Sequence, residues 1–399
     1  MIVRQYWMDR IRAAFKRRSL IWLIGVRRAG KTLLCKSLPG VEYFDCELPS
    51  VRKALADPEE FWRSRKAGYV ALDEIHRLKD PAEVLKIATD HFPEIKVIAT
   101  GSSSLGASSK FRDKLTGRKV DIWLTPMNES DRADFGGQSL EYRLERGGLP
   151  PFYLAGQFFE EEVQDWISSF WNKDIEELFR VERRGPFLRF FELLFAQSGG
   201  IFEATSLAAP SGVSRPTIQA YLNVLESALV AHVIRPFHTR KTNEIVLAPK
   251  VYGFDTGFVG CLQGWRDLRP SDYGMLWEHY VLNELISLEP RRSVFYWRDK
   301  QHHEVDFVLH RKGSDPIAIE CKWSSSAFDP AALRPFRAKY PKGRNIVCCR
   351  DIERPYNRRF GDLTCEFVGL AGLATLTSPE EARAEAPPPP RSRRQPSAR

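Results

Sequence analysis

Gly25-Val26-Arg27-Arg28-Ala29-Gly30-Lys31-Thr32 constrains the fold of this chain more than any other stretch of its 399 residues. It fits G-x-x-x-x-G-K-[ST] in full, follows the apolar run Leu20–Ile24, and leads into Leu33–Leu38, which reads as a helix. Glycines let such a turn close tightly and aim its N–H groups at one point, where the helix N-terminus adds partial positive charge. That is a receptor for phosphate oxygens, so all eight residues are candidate nucleotide-binding positions. Lys31 would reach the β- and γ-phosphates, and Thr32 would place its hydroxyl on Mg²⁺.

A loop of this kind needs a sheet behind it. Leu20–Ile24, Val41–Asp45, Tyr69–Asp73, Ile95–Thr100 and Val120–Leu124 are short apolar runs that alternate with helical stretches. Such alternation predicts a parallel α/β sheet over residues 1–135. The run Val70-Ala71-Leu72 ends in Asp73-Glu74. Asp73 would hold Mg²⁺ through water, and Glu74 would be the general base for hydrolysis. At the tip of the next strand, Thr100 and Ser102 are candidates to hold the attacking water or sense the γ-phosphate. Arg118 is a candidate arginine finger, catalytic toward a neighbouring subunit's nucleotide; a plain surface arginine is the alternative.

Beyond this unit, Gly136-Gly137 and Gly147-Gly148-Leu149-Pro150-Pro151 punctuate residues 136–151, which read as a linker. Residues 152–250 are mostly helical, with helices predicted at Phe187–Gln197, Ser206–Pro210 and Thr217–Ser227. Ser214 is placed to cap the last of these, and Pro216 is tolerated in its first turn. Strands at Val230–Pro236 and Ile245–Tyr252 then flank a basic turn, giving the order of a winged helix. Ser214, Arg215 and Thr217 would meet nucleic acid, with Arg240 and Lys241 as the wing; such modules also dock proteins. Residues 251–378 open with a helix near Met275–Ser287, followed by strands at Val294–Trp297, Val305–His310, Ile317–Trp323 and Asn345–Cys349. Residues 379–399, with Pro387–Pro390 and scattered arginines, predict a disordered tail.

Composition narrows the partners. Sixty Lys+Arg against 51 Asp+Glu give a formal charge of +9, which suits a polyanion such as DNA. Near the start, the longest apolar run is five residues, far short of the roughly 18 a spanning helix needs. Seven cysteines without a C-x-x-C pair read as reduced thiols, and a cytoplasmic location follows as the expectation.

With these residues in view, the chain resembles the prokaryotic AAA+-type P-loop ATPases related to archaeal ATPases. The resemblance rests on the phosphate loop, Leu-Asp-Glu-Ile-His at 72–76, Thr-Gly-Ser-Ser-Ser at 100–104, Thr-Gly-Arg at 116–118 and Gly-Gly-Leu-Pro at 147–150. Lys173-Asp174-Ile175, Tyr252-Gly-Phe-Asp255-Thr-Gly257 and the helix around Glu278 continue it in the family's order. The family implies ATP binding, a fold and a C-terminal domain of unassigned function; a homo-oligomer is a candidate assembly.

That last block also looks like the PD-(D/E)xK arrangement of restriction-type nucleases. Glu320 and Lys322 alternate along one strand and so share a face, which Asp306 can join if the two strands pair. Asp306, Glu320 and Lys322 would be catalytic, and Glu278, Asp306 and Glu320 would bind Mg²⁺. A salt-bridged Glu-x-Lys is equally an ordinary structural feature. The expectation is a multi-domain α/β chain: a P-loop parallel sheet, a winged-helix middle and a PD-(D/E)xK-like end. Its function would be ATP hydrolysis coupled to a module acting on DNA. The alternative is a nucleotide-gated regulatory protein whose nuclease-like fold is inactive.

Overall fold

A computed structural model describes residues 2–101, 109–156, 160–179, 181, 183–238, 248–265, 267–289 and 291–377. The first sheet contains β1 (Leu20–Ile24), β2 (Glu42–Asp45), β3 (Tyr69–Asp73), β4 (Lys96–Thr100) and β5 (Lys119–Trp123). Their order is β2-β3-β4-β1-β5 with every pair parallel. All five residues of β1 are buried, as a central parallel strand covered on both faces requires. The C-terminal ends of β3, β4 and β1 therefore lie side by side. This places Asp73, Thr100 and the turn after Ile24 on one rim, where open α/β sheets bind ligands.

Residues 136–151 are not a spacer. They carry the helix Leu140–Arg146 and the start of the helix Pro150–Leu154, and Leu144, Leu149 and Pro150 are buried. Asp255 explains why. Its Oδ2 accepts the Gly148 N–H at 2.6 Å, while its Oδ1 caps the helix Thr256–Leu262. Arg143, also buried, donates to the Met127 carbonyl at 2.7 and 3.1 Å and to Thr256 Oγ1 at 3.1 Å. The paired glycines leave room for these side chains rather than slack in the chain.

The middle of the chain runs through helices Glu160–Phe170 and Arg184–Ala196, strand β6 (Gly200–Ile201), and helices Ala204–Ser211 and Arg215–Ser227. Strands β7 (Ala231–Ile234) and β8 (Lys250–Gly253) follow. β8 is central in a small antiparallel sheet ordered β6-β8-β7. Ser214 caps Arg215–Ser227, with Pro216 in its first turn, and Ile218, Tyr221, Leu222 and Leu225 face the core.

The last sheet contains β9 (Val294–Arg298), β10 (Glu304–Leu309), β11 (Ile317–Lys322), β12 (Asn345–Cys349), β13 (Tyr356–Phe360) and β14 (Leu363–Val368). Its order is β13-β14-β12-β11-β10-β9, antiparallel from β9 to β11 and parallel from β11 through β12 to β14. The 19-residue helix Pro270–Leu288 is buried on most of its circumference because it packs in two directions. Toward the sheet, Trp277 Nε1 donates to the Cys348 carbonyl at 3.0 Å. Toward the first unit, Glu284 Oε1 accepts the Glu129 N–H at 2.6 Å, and Asn283 donates to the Pro126 carbonyl at 3.2 Å.

Candidate nucleotide site and a second charged centre

The turn after β1 folds as its sequence dictates. A Cβ on Gly25 would lie 2.6 Å from the Leu124 carbonyl oxygen, and Gly30 has φ of +97°, so both positions demand glycine. The loop and its neighbours line a cavity of about 560 Å³. Gly25, Val26, Arg27, Arg28, Gly30, Lys31 and Thr32 face it, together with Asp73 and Glu74 from the end of β3. Ala29 does not. It is fully buried, its N–H turns back to the Val26 carbonyl at 3.3 Å, and its carbonyl accepts Arg4 Nη1 at 2.9 Å.

Lys31 Nζ donates to the loop's own Gly25 and Val26 carbonyls at 2.8 and 3.2 Å. Burial lowers its pKa, against the nearby charges of Glu74, Asp174 and Asp73. Asp73 is the hub of the site. Its Oδ2 accepts from Thr32 Oγ1 at 2.6 Å and from Tyr43 OH at 2.7 Å, and its Oδ1 accepts from Thr100 Oγ1. A hydroxyl beside a carboxylate is a hard-oxygen pair of the kind Mg²⁺ takes alongside phosphate oxygens, so Thr32 and Asp73 fit that ion.

Thr100 is placed differently from the expectation. It is fully buried and does not line the cavity; its hydroxyl also accepts the Glu74 N–H at 3.1 Å. The strand order sets this, because β4 lies between β3 and β1 and its terminal hydroxyl meets β3 before it can meet a ligand. Thr100 thus aims the two acids. Glu74 sits in the left-handed region, φ 52° and ψ 44°, which turns its side chain off the strand and into the cavity. Its carboxyl would be raised by burial. The His76 hydrogen bond at 3.1 Å and the Lys31 charge outweigh that and hold it below the usual range, hence ionised at neutral pH. Ser102 lies outside the described residues. Arg118 does not line this cavity; it forms a two-point ion pair with Asp90 at 2.7 and 3.0 Å.

The far wall comes from the middle of the chain. Phe170, Lys173, Asp174, Ala228 and Val230 line it, and Arg27 Nε pairs with Asp174 at 3.0 Å. Trp166 Nε1 also donates to the Arg27 carbonyl at 3.2 Å. Lys173-Asp174 was legible as a motif, but Tyr43 and Trp166 carried no signal of their own.

A second charged centre lies on the C-terminal sheet, and it brings the four predicted residues together. Lys322 Nζ is 2.8 Å from Glu320 Oε2 and 3.5 Å from Asp306 Oδ2, and Asp306 also accepts the Cys321 N–H at 2.7 Å. Glu278 joins from the helix, but its partners come from β8: Tyr252 OH donates to Glu278 Oε1 at 2.5 Å, and Lys250 Nζ is 3.4 Å away. Lys250 also pairs with Glu304. Burial and the neighbouring Asp306 charge push Glu278 up to about 7 and Glu320 up to about 8. Burial works against the charge of Lys250, but Glu278 and Glu304 raise its pKa overall. Among the described residues, no group of three or more His, Cys, Asp or Glu side chains stands ready to hold a metal ion. Lysines stand among these carboxylates instead.

In the middle unit, Ser214 and Thr217 are bound to each other, Oγ to Oγ1 at 2.9 Å, while Arg215 is exposed. Arg240, Lys241 and the tail from 378 onward lie outside the described residues.

Comparison with known proteins matches this geometry in its first part. Residues 17–131 match the family described as AAA domain. That stretch is therefore similar to an AAA-type P-loop domain. Residues 137–269 and 273–365 match two families described as domains of unknown function, DUF8612 and DUF4143. The chain is 29% identical over 347 residues to uncharacterized protein Rv2008c of Mycobacterium tuberculosis and to Mb2031c of Mycobacterium bovis. The match covers 84% of this chain and 77% of each relative. Among solved structures, the Walker-type ATPase PABY2304 of Pyrococcus abyssi is 15% identical, with a TM-score of 0.43. That likeness covers 66% of this chain and 96% of the other. No helix among the described residues is long and apolar enough to cross a membrane.

Proposed function

We propose that this protein is a magnesium-dependent ATPase. The observation that carries the reading is the convergence of Lys31, Thr32, Asp73 and Glu74 on one cavity of about 560 Å³. In this reading the loop amides and Lys31 take the triphosphate, Lys31 giving up its two carbonyl contacts to do so. Thr32 and Asp73 hold magnesium, which when bound offsets charge on the phosphates. Glu74, aimed by Thr100 and His76, takes the proton of the attacking water. Lys31→Ala is expected to abolish ATP binding in a calorimetric titration. Glu74→Gln is expected to bind ATP while losing turnover by a hundredfold or more, the order a positioned general base supplies. Turnover that survives Glu74→Gln would overturn the assignment of the base.

A second reading covers the remainder. The order helix, β6, helix, helix, β7, β8 supports a winged helix. The helix Pro270–Leu288 followed by β9, β10 and β11, with Asp306, Glu320 and Lys322 on the last two strands, supports a PD-(D/E)xK-like unit. With the basic charge, these features favour DNA as the partner on which nucleotide turnover acts. Stimulation of ATP turnover by duplex DNA tests this; no stimulation by any nucleic acid would remove it. Arg118 serves a neighbouring subunit in this reading only if its pair with Asp90 opens on homo-oligomer assembly.

A further inference from the structure

The C-terminal carboxylate centre is completed by a strand that does not belong to its sheet. β8 runs in the middle of the three-stranded sheet, hydrogen-bonded on both sides to β6 and β7. Its alternate residues Lys250 and Tyr252 point the same way, and that face turns toward Glu278 and Glu304. Both side chains are buried. The two sheets are stitched beside this contact: the Phe237 N–H donates to the Tyr296 carbonyl at 2.5 Å, and Tyr296 OH donates to the Ala248 carbonyl at 2.6 Å. Lys250 therefore cannot leave its carboxylates by a side-chain rotation alone without abandoning a buried charge, which is expensive.

We propose that Lys250 is a resident cation of this centre, delivered by β8, and that it excludes divalent metal ions from Glu278, Asp306 and Glu320 while the two sheets are docked. The inference rests on the contacts themselves and not on the nucleotide site.

The distribution of partners supports it. Glu278 and Glu304 are served by Lys250, and Glu320 and Asp306 by Lys322. Tyr252 takes the same Glu278 oxygen that Lys250 approaches. One acceptor is left over: among the described residues, the buried Glu320 Oε1 finds no hydrogen-bond partner. Buried acceptors are rarely left unmatched, so the centre holds unspent capacity for a donor or a cation. Removing the Lys250 ammonium would leave Glu278 with Tyr252 and no cation, and Glu304 with Arg298 alone at 3.8 Å. A hard, oxygen-seeking divalent ion is the ligand such a group then favours. The long unbranched stem of Lys250 makes methionine its closest uncharged replacement in shape, so Lys250→Met removes the charge and spares the packing.

The test is Mn²⁺ titration of the full chain without nucleotide, read by calorimetry and by loss of the free-ion electron spin resonance signal. Wild type is expected to show no Mn²⁺ site that depends on Asp306, so wild type and Asp306→Asn should superimpose. Lys250→Met is expected to gain one site, at least tenfold tighter than any in wild type, and Lys250→Met/Asp306→Asn should lose it again. Lys250→Arg, which keeps the charge, should gain nothing. Wild-type binding that Asp306→Asn abolishes would overturn the proposal, as would a folded Lys250→Met variant with no new site. The wild-type against Asp306→Asn comparison decides the exclusion claim even if Lys250→Met fails to fold. Because no arm contains ATP, a failed ATPase reading leaves this result standing, and the reverse also holds.

Discussion

Thr100→Val is the sharpest perturbation of the nucleotide site that leaves its shape intact. The two side chains are close in volume, and position 100 is fully buried, so the change removes one hydroxyl and little else. That hydroxyl donates to Asp73 Oδ1 and accepts the Glu74 N–H at 3.1 Å. A hydrogen bond to a charged group is worth about 1.5–3 kcal/mol, and a buried N–H left unsatisfied costs about 1–3 kcal/mol. Asp73 keeps Thr32 and Tyr43, so the lower part of each range applies, and the expected loss of stability is about 2.5–4 kcal/mol. Catalysis should suffer separately, because the Glu74 peptide loses the contact that holds it in its left-handed conformation. Misplacing the base by about 1.4–2.8 kcal/mol in the transition state lowers kcat ten- to a hundredfold. KM for ATP should move less, since the loop amides and Lys31 are untouched. Urea denaturation and steady-state turnover of the variant are the assays. A destabilisation below about 1 kcal/mol with unchanged kcat would refute the claim that Thr100 aims the acids.

Two further changes test charges buried away from the cavity. Asp131→Asn breaks a buried pair in which Arg4 contacts both carboxylate oxygens while also holding the Ala29 and Thr125 carbonyls at 2.9 and 3.1 Å. Leaving Arg4 charged and unmatched should cost about 3–5 kcal/mol, visible as a large drop in the thermal unfolding midpoint. Glu284 is raised by burial, and by the nearby Glu129 charge, to about 8. A carboxyl that is harder to ionise when folded makes the protein less stable as pH climbs from the unfolded pKa, near 4.5, to about 8. The slope is up to about 1.4 kcal/mol per pH unit. Glu284→Gln should therefore gain stability relative to wild type between pH 5.5 and 8 in paired denaturation curves; parallel profiles would show that Glu284 carries no such penalty.

The parts of the fold set by local pattern could be read before the structure. The five strands of the first sheet lie within a residue or so of their predicted runs; for the central β1, β3 and β4 this is because a covered parallel strand needs an apolar sequence, and Asp73 or Thr100 marks where it ends. Ser214 and Pro216 likewise announce their helix through local chemistry, and the spacing of Ile218, Tyr221, Leu222 and Leu225 gives its buried face. Asp306, Glu320 and Lys322 meet because strand alternation and one pairing suffice to bring them together. What the sequence hid depends on distant partners. Lys250-x-Tyr252 is an ordinary strand pair until Glu278 arrives from a helix and Glu304 from another sheet. Gly147-Gly148 reads as punctuation unless Asp255 is known to fill the space beside it. Thr100 has the residue type of a ligand contact, and only the order β3-β4-β1 turns it toward Asp73.

Arg27 belongs to the phosphate loop, yet its carbonyl is held by Trp166 and its guanidinium by Asp174, some 140 residues downstream. The receptor is thus clamped from outside its own sheet. A fragment stopping at residue 135 would keep every sequence element of the loop and lose the brace that sets its shape. By the same linkage, a displacement of Arg27 by an incoming triphosphate would be passed to Trp166 and Asp174.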